Sequence, residues 1–494
     1  MISISIPEIL GAINGKVISE QKDLSSRRVN HISTDTRAAV KGSAFFALKG
    51  PNFDGHNFIN DAVTRGATVL VVSRRVKTIS GRAVVIKVAD TLKALGELAG
   101  YYRGILSIPI IAVTGSNGKT TTKEMLACIL SGQGPTARSP KSFNNYIGVP
   151  LAIFSIEPRH RYAVLEVGTN RPGEIAYLGR IARPNVAVIT NVAPTHLEEL
   201  KSLEGIAREK ASLFEYLASN GTAVYGADSN LIKKFIPKAE NRVETFSLKR
   251  GGTLRASGIK NTAGCVYFIV SVNGSNTKYA CHLPVIGDWN VNNALAAITA
   301  ARAVGVPVKD SCRALALFKA PPMRMERRTL KGVTYINDAY NANPSAVTCA
   351  LQALAREKAG RRIFVFGEMR ELGSYTRKYH QAVAGDIARA KIDGLVCVGR
   401  ATRSTLQALP KNKPEYSRLP VKLSARGGCA SGAQPPILGS HSSAKGAIKL
   451  PMYKFYCNNV SQAINCLNQI VQKGDTVLLK GSRASGLERI LSEL

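Results

Sequence analysis

Acidic side chains are scarce in this 494-residue sequence: 33 Asp and Glu stand against 67 Lys and Arg, a net charge of +34. That excess implies attraction to polyanions, highly phosphorylated small molecules among them. The basic residues are dispersed, in runs no longer than stretches such as Arg324-Met-Glu-Arg-Arg328. No interleaved aromatic motif accompanies them, so a generally basic surface is expected and no nucleic-acid partner is. The sequence also lacks any window near the ~18 unbroken apolar residues of a membrane span. Its start, Met1-Ile-Ser-Ile-Ser-Ile-Pro7, has neither the basic segment nor the apolar run of a signal peptide. A cytoplasmic protein is expected. Cysteine pairing is absent as well: the count is nine, an odd number, and no Cys-x-x-Cys occurs. Free thiols are expected, not disulfides or a zinc site.

Against those absences stands one dense motif. Ile110-Ile-Ala-Val-Thr-Gly-Ser-Asn-Gly-Lys-Thr-Thr-Thr122 runs from a β-branched strand through a small-residue loop into a helix. Backbone N–H groups around Gly115, Ser116, Asn117 and Gly118 can point at a triphosphate, aided by the positive end of the following helix. Lys119 would reach the β- and γ-phosphates, and the Thr120 hydroxyl, followed by Thr121, would ligate Mg²⁺. Val113 stands where the strict motif has glycine, so the loop is a short variant.

Length and pattern predict three α/β domains. Residues 1–107 form a smaller α/β unit. Residues 108–320 form a central phosphate-loop-type parallel sheet with helices on both faces, because strands such as Ala163–Val167 and Val186–Thr190 alternate with helices near Lys119–Leu130, Leu203–Ala218 and Asn290–Val304. Residues 321–494 repeat that rhythm as a Rossmann-like domain. Within it, residues 423–449 are rich in Gly, Ser, Ala and Pro without periodicity and read as an inserted flexible loop.

Two further side chains belong at the central sheet's carboxyl edge, where such sheets bind ligands. Glu166 ends one buried strand, and His196 follows another in Asn191-Val-Ala-Pro-Thr-His196. Both suit a metal or phosphate role.

Taken in order, Gly115-Ser-Asn-Gly-Lys-Thr-Thr121, Glu166-Val-Gly-Thr-Asn-Arg-Pro-Gly-Glu174, Asn191–His196, Asn290-Val-Asn-Asn293, Asp338-Ala-Tyr-Asn-Ala-Asn-Pro344 and Lys480-Gly-Ser-Arg-Ala484 resemble the motifs of the Mur ligases of peptidoglycan synthesis. The resemblance runs from Ser33-Thr-Asp-Thr-Arg37 to Leu487-Glu-Arg489. It implies an ATP-dependent ligase that phosphorylates a carboxylate and lets an amine displace the phosphate. The substrates implied are a UDP-N-acetylmuramoyl tripeptide and D-alanyl-D-alanine, with ATP and two Mg²⁺ ions, in a monomer.

Carried over residue by residue, the resemblance gives Lys119, Glu166, His196 and Lys210 catalytic roles, with Thr120, Glu166, His196 and a carbamylated Lys210 around the metals. Asn290, Asn293, Arg324 and Asp338 would meet the nucleotide. Asp35, Thr36, Arg37, Asp54 and His56 would hold the UDP-sugar, and Asn144 and Asn145 the muramoyl peptide. Tyr340, Asn341, Asn343, Lys480, Ser482 and Arg483 would form the dipeptide side. The sequence departs from the family at Trp289, which precedes Asn290 in place of histidine, at Glu368 in Gly367-Glu-Met-Arg-Glu-Leu-Gly373, and at Ala339. Two other readings share the central segment: a sister ligase adding a single amino acid or polyglutamate, and a basic nucleic-acid-binding ATPase.

Overall fold

Three sheets carry the chain in a computed structural model that describes residues 1–20, 24–76, 83–236, 241–249, 251–262, 264–358, 360–410 and 453–494. The stretch 423–449 lies outside the described residues.

The first sheet has five strands in the order Lys16–Val17, Val84–Lys87, Ala67–Val72, Ser43–Phe46, His31–Ser33. All neighbours run parallel except the first pair. One face packs against the helices Ile6–Ile13 and Thr91–Gly104 in an apolar cluster that continues into the central sheet through Ile110, Ala112, Leu165 and Ile189. A continuous core fixes the first sheet against the second, because rigid-body movement would expose close-packed aliphatic surface.

The helix Ile6–Ile13 shows how local sequence starts an element. Ser5 caps it and Glu8 answers in a capping box, with Pro7 in the first turn, where its missing N–H costs nothing. The Glu8 carboxylate also accepts from Tyr101 Oη at 2.8 Å and lies 3.8 Å from Arg28. The Ser5 hydroxyl and backbone N–H, then Tyr101, hold its pKa down to about 2 from 4.5. A carboxylate with a depressed folded pKa contributes stability above its unfolded pKa and loses it as pH falls toward the folded one. Glu8→Gln is therefore expected to lower stability by about 1 kcal/mol near pH 6, solvent screening having cut the effect. The deficit relative to the parent should shrink as pH drops from 4.5 to 2. Urea midpoints at pH 6 and pH 3 test this, and an unchanged difference would reject it.

The central sheet has nine strands. Seven are parallel, in the order Thr136–Arg138, Tyr162–Glu166, Ile110–Thr114, Val186–Ile189, Thr222–Gly226, Arg242–Ser247, Leu254–Thr262. The last two, Cys265–Val272 and Lys278–Leu283, pair antiparallel. The expected parallel sheet is these seven strands, and the antiparallel pair extends it beyond them. In 254–283 buried and exposed residues alternate, the pattern of a sheet with one wet face, whereas Ile110–Thr114 is buried throughout. The long helix expected over 203–218 is also shorter. It runs as α-helix over Leu203–Ala211 and tightens to a 3₁₀ turn over Ser212–Tyr216, where the Ser212 hydroxyl bonds the Glu209 carbonyl at 2.7 Å.

The third sheet is ordered Glu326–Leu330, Val333–Asn337, Thr476–Lys480, Arg362–Gly367, Gly394–Val398, Tyr453–Cys457, parallel apart from its first hairpin. The cluster on one of its faces includes Leu197, Leu200 and Ile206 from the central segment, so this unit is packed directly over the edge bearing His196.

Candidate functional site

The phosphate loop is shaped by what crowds it. Gly115 has φ +150° and Gly118 has φ +79°. A Cβ would lie 1.9 Å from Thr190 Oγ1 at the first and 2.2 Å from Asn293 Oδ1 at the second. Only glycine lets the strand turn here with a neighbouring strand and helix so close. The loop is then tied to 190–195: Thr190 Oγ1 donates to the Asn117 carbonyl at 2.5 Å, Asn117 N–H to Asn191 Oδ1 at 3.0 Å, and Ser116 Oγ bonds both backbone groups of Ala193 at 2.9 Å. Lys119, at the start of the helix Lys119–Ser131, folds back and donates to the Gly115 carbonyl at 2.8 Å. Loss of water around Lys119 lowers its pKa, opposed by Glu166 and reinforced by Arg324.

Glu166 ends its strand with 1% of its surface exposed. Asn144 Nδ2 donates to Oε1 at 2.8 Å, while Oε2 has no hydrogen-bond partner and sits 3.8 Å from Lys123 Nζ. Lys123, itself buried, is occupied by the Ser139 and Lys141 carbonyls at 2.8 and 2.6 Å. A fully buried carboxylate oxygen without a donor is costly unless something cationic arrives. Lys210 is equally buried, has no carboxylate within ion-pair distance among the described residues, and is pushed well below the ordinary lysine pKa by burial and by Lys119. Its helix is held by Glu209, whose carboxylate accepts from Gly173 N–H at 2.8 Å, Ile175 N–H at 2.9 Å and Thr169 Oγ1 at 3.1 Å.

His196 adopts left-handed backbone, φ 51°, and its Nδ1 lies 2.6 Å from Glu371 Oε2. Glu371 is left-handed too, at φ 64°. The imidazole, and secondarily Lys119, hold its carboxyl below the usual range. Glu371 was not singled out from the sequence, although its segment was. Nothing in the primary structure says that residue 371 meets residue 196.

Other contacts cross to the loop from the third sheet's side. Arg324 Nη2 donates to Thr120 Oγ1 at 2.8 Å, with its guanidinium 4.2 Å above the Tyr340 ring. Asn343, which caps the helix Pro344–Arg356, donates to Asn117 Oδ1 at 2.5 Å, and Asn117 Nδ2 donates to Ser345 Oγ at 2.8 Å. Asn290 and Asn293 bond each other at 3.1 Å beside Gly118.

The remaining expected residues lie in separate groups. Lys480 pairs with Asp338 at 2.6 Å and donates to the Asn341 carbonyl at 2.8 Å, which sets Asp338 against a lysine. Ser482 meets Ser485, and Arg483 meets Glu488 at 3.2 Å. Asn145 Oδ1 accepts from the Ile147 and Gly148 N–H groups at 3.2 and 2.9 Å, just where the helix Gly148–Phe154 begins. In the first unit, Asp35 caps the turn Thr36–Ala38 and clasps Arg37 through both carboxylate oxygens. His56 is buried with both ring nitrogens engaged, Nδ1 by Asp54 at 2.7 Å and Nε2 by the Ser73 N–H at 3.0 Å. Among the described residues no hydrogen bond joins Asp35, Thr36, Arg37, Asp54 or His56 to the loop, and no cluster of three or more His, Cys, Asp or Glu forms a ready metal cage.

A phosphate loop on a parallel sheet, touched from a second α/β sheet, defines a nucleotide-using enzyme that works across a domain interface. Residues 28–103, 113–301 and 323–420 match, respectively, the Mur ligase family catalytic domain, the Mur ligase middle domain and the Mur ligase glutamate ligase domain. The UDP-N-acetylmuramoyl-tripeptide–D-alanyl-D-alanine ligase of Buchnera aphidicola is 35% identical, over 84% of this chain and 90% of its own length. That of Bacillus subtilis is 30% identical over 100% and 99%. The crystal structure of MurF from Acinetobacter baumannii superposes with a TM-score of 0.83 at 28% identity, covering 100% of this chain and 98% of its own. MurF from Thermotoga maritima in complex with ADP gives 0.76 at 27% identity, over 94% and 96%. The chain belongs to the Mur ligase family.

Proposed function

We infer that the protein is an ADP-forming amide ligase that joins D-alanyl-D-alanine to UDP-N-acetylmuramoyl-tripeptide, in the cytoplasm and as a monomer. The observation that carries the chemistry is the meeting of the Gly115–Thr120 loop with Arg324 and Asn343. The full-length similarity to ligases of this specificity supports the substrates.

The tripeptide carboxylate attacks the γ-phosphorus of ATP, ADP leaves, and the dipeptide amine then displaces phosphate from the acyl phosphate, giving up its proton. Such transfer depends on in-line positioning and on neutralising the phosphoryl oxygens. Lys119 exchanges its loop carbonyls for phosphate, Arg324 adds charge from the third unit, and Asn290 and Asn293 hold the loop's shape beside the nucleotide. Glu166, with one donor-free buried oxygen, and the Thr120 hydroxyl fit a hard cation, and His196 and Lys210 are assigned to complete its surroundings together with phosphate and water. Bound Mg²⁺ supplies further charge neutralisation there. Tyr340, Asn341, Asn343, Lys480, Ser482 and Arg483 are assigned to the dipeptide side, Asp338 to the nucleotide, and the segments 35–37, 54–56 and 144–145 to the UDP-muramoyl peptide.

Phosphate release from ATP is expected only when both UDP-N-acetylmuramoyl-tripeptide and D-alanyl-D-alanine are present. Release indifferent to the dipeptide would overturn the assignment.

A further inference from the structure

The charge of +34 exceeds what a nucleotide and a muramoyl peptide require, and the antiparallel extension of the central sheet shows where some of it collects. Its inner face is apolar: Val266, Phe268, Val270, Cys281 and Leu283 are buried in the core. Its outer face is read off the strand register. Arg255, Ser271 and Lys278 form one cross-strand row, Ser257, Ile269 and Ala280 the next, and Lys260, Tyr267 and His282 the third. Successive rows lie about 7 Å apart.

This face holds three cations and no carboxylate, and Arg255, Lys260 and Lys278 are exposed and enter no ion pair among the described residues. Unpaired like charges on one face repel, so their accumulation weakens the fold slightly and favours an anionic occupant. An exposed ring lies among them. Tyr267 is 47% exposed and stacks on His282 with centroids 4.7 Å apart and planes 25° from parallel. Ile269, 37% exposed, continues the apolar track. An aromatic platform flanked by cations on an open antiparallel sheet is the arrangement on which unpaired bases stack while their phosphates meet Lys and Arg. An anionic membrane would need the charge but not the ring stack.

We propose that the outer face of 254–283 binds single-stranded nucleic acid, with Tyr267 stacking a base and Arg255, Lys260 and Lys278 meeting phosphates. The residues are scattered over 28 positions of sequence, which is why no aromatic-basic motif is visible along the chain. Three strands separate this face from the one bearing the phosphate loop, so occupancy leaves the ligase reaction untouched.

The test is fluorescence anisotropy of the full-length protein with a fluorescein-labelled oligouridine, its DNA counterpart, a duplex of the same length and, separately, phosphatidylglycerol vesicles. Binding to the single strands is expected, with log K falling on log salt with a slope of about −2 for three phosphates. A preference for RNA over DNA would add the 2′-hydroxyl to the contacts, and equal binding would leave stacking and phosphate contacts as the basis; either supports the proposal. Tyr267→Ser should weaken binding about tenfold, Tyr267→Phe should retain it, and the triple change Arg255→Gln, Lys260→Gln, Lys278→Gln should abolish the salt dependence, all with unchanged ADP formation. The triple change Lys87→Gln, Arg377→Gln, Lys378→Gln removes equal charge elsewhere. Equal weakening by that control, equal affinity for duplex, or binding to vesicles alone would overturn the proposal.

Discussion

Replacing Lys210 with alanine is expected to lower ADP formation by about 10²- to 10³-fold, the loss typical when one preorganised charge at a reacting phosphoryl group is removed. The argument starts from burial. Lys210 is 1% exposed, with no carboxylate in ion-pair range among the described residues and with Lys119 adding a second positive charge nearby. Both conditions disfavour an ammonium, so the amine is neutral over a pH range in which an ordinary lysine is charged. A neutral amine adds to carbon dioxide, forming a C–N bond and releasing one proton, and the resulting carbamate would be an oxygen ligand whose charge balances Lys119. ¹³C NMR of protein equilibrated with labelled bicarbonate should show one carbamate signal that the alanine variant lacks. Formate or acetate should partly restore that variant's activity by supplying the missing carboxylate. A wild-type spectrum without the signal, together with no rescue, would return Lys210 to a purely structural role.

The phosphate loop was legible in the sequence because its parts are contiguous: strand, glycines, Lys119 and Thr120 follow in the order in which the backbone uses them. The alternation of strands and helices was legible for the same reason, since buried parallel strands are short apolar runs with helices between them. The antiparallel extension has no such run: Val266, Phe268 and Val270 alternate with exposed residues and carry the period of a half-wet strand. Long-range pairs were beyond reach. Glu371 and His196, 175 positions apart, meet because Leu197 and Leu200 are buried in the third sheet's core, which turns the 367–373 loop onto this edge. Glu209, beside Lys210, anchors that helix by accepting from three donors 34 to 40 positions away. His56, which the resemblance sets at the UDP-sugar, has both ring nitrogens engaged within the first unit, by Asp54 and by the Ser73 N–H, a pairing that spans 17 positions and is equally invisible along the chain.

Lys119→Met should have the second large effect, a fall of about 10³-fold in turnover with nucleotide binding weakened about tenfold. Methionine keeps the apolar stem and removes only the charge, so the loop should stay folded. Its shape is set by Gly115 and Gly118 against Thr190 and Asn293, not by the lysine's bonds to the Gly115 and Ser116 carbonyls. Lys119→Arg should recover little, because a wide planar guanidinium replaces the compact ammonium that fits between the Gly115 and Ser116 carbonyls. The free lysine has a lowered pKa, and phosphate raises it by opposing charge, so binding takes up protons wherever the free amine has lost one. Nucleotide affinity is therefore expected to fall as pH rises through that depressed pKa, below the ordinary 10.5. The methionine variant should lack this alkaline limb. Calorimetric titration of ADP and ATP from pH 7 to pH 10 measures both slopes. Parallel curves for parent and variant would mean that Lys119 does not meet the phosphates, and the charge would have to come from Arg324 reaching over Thr120.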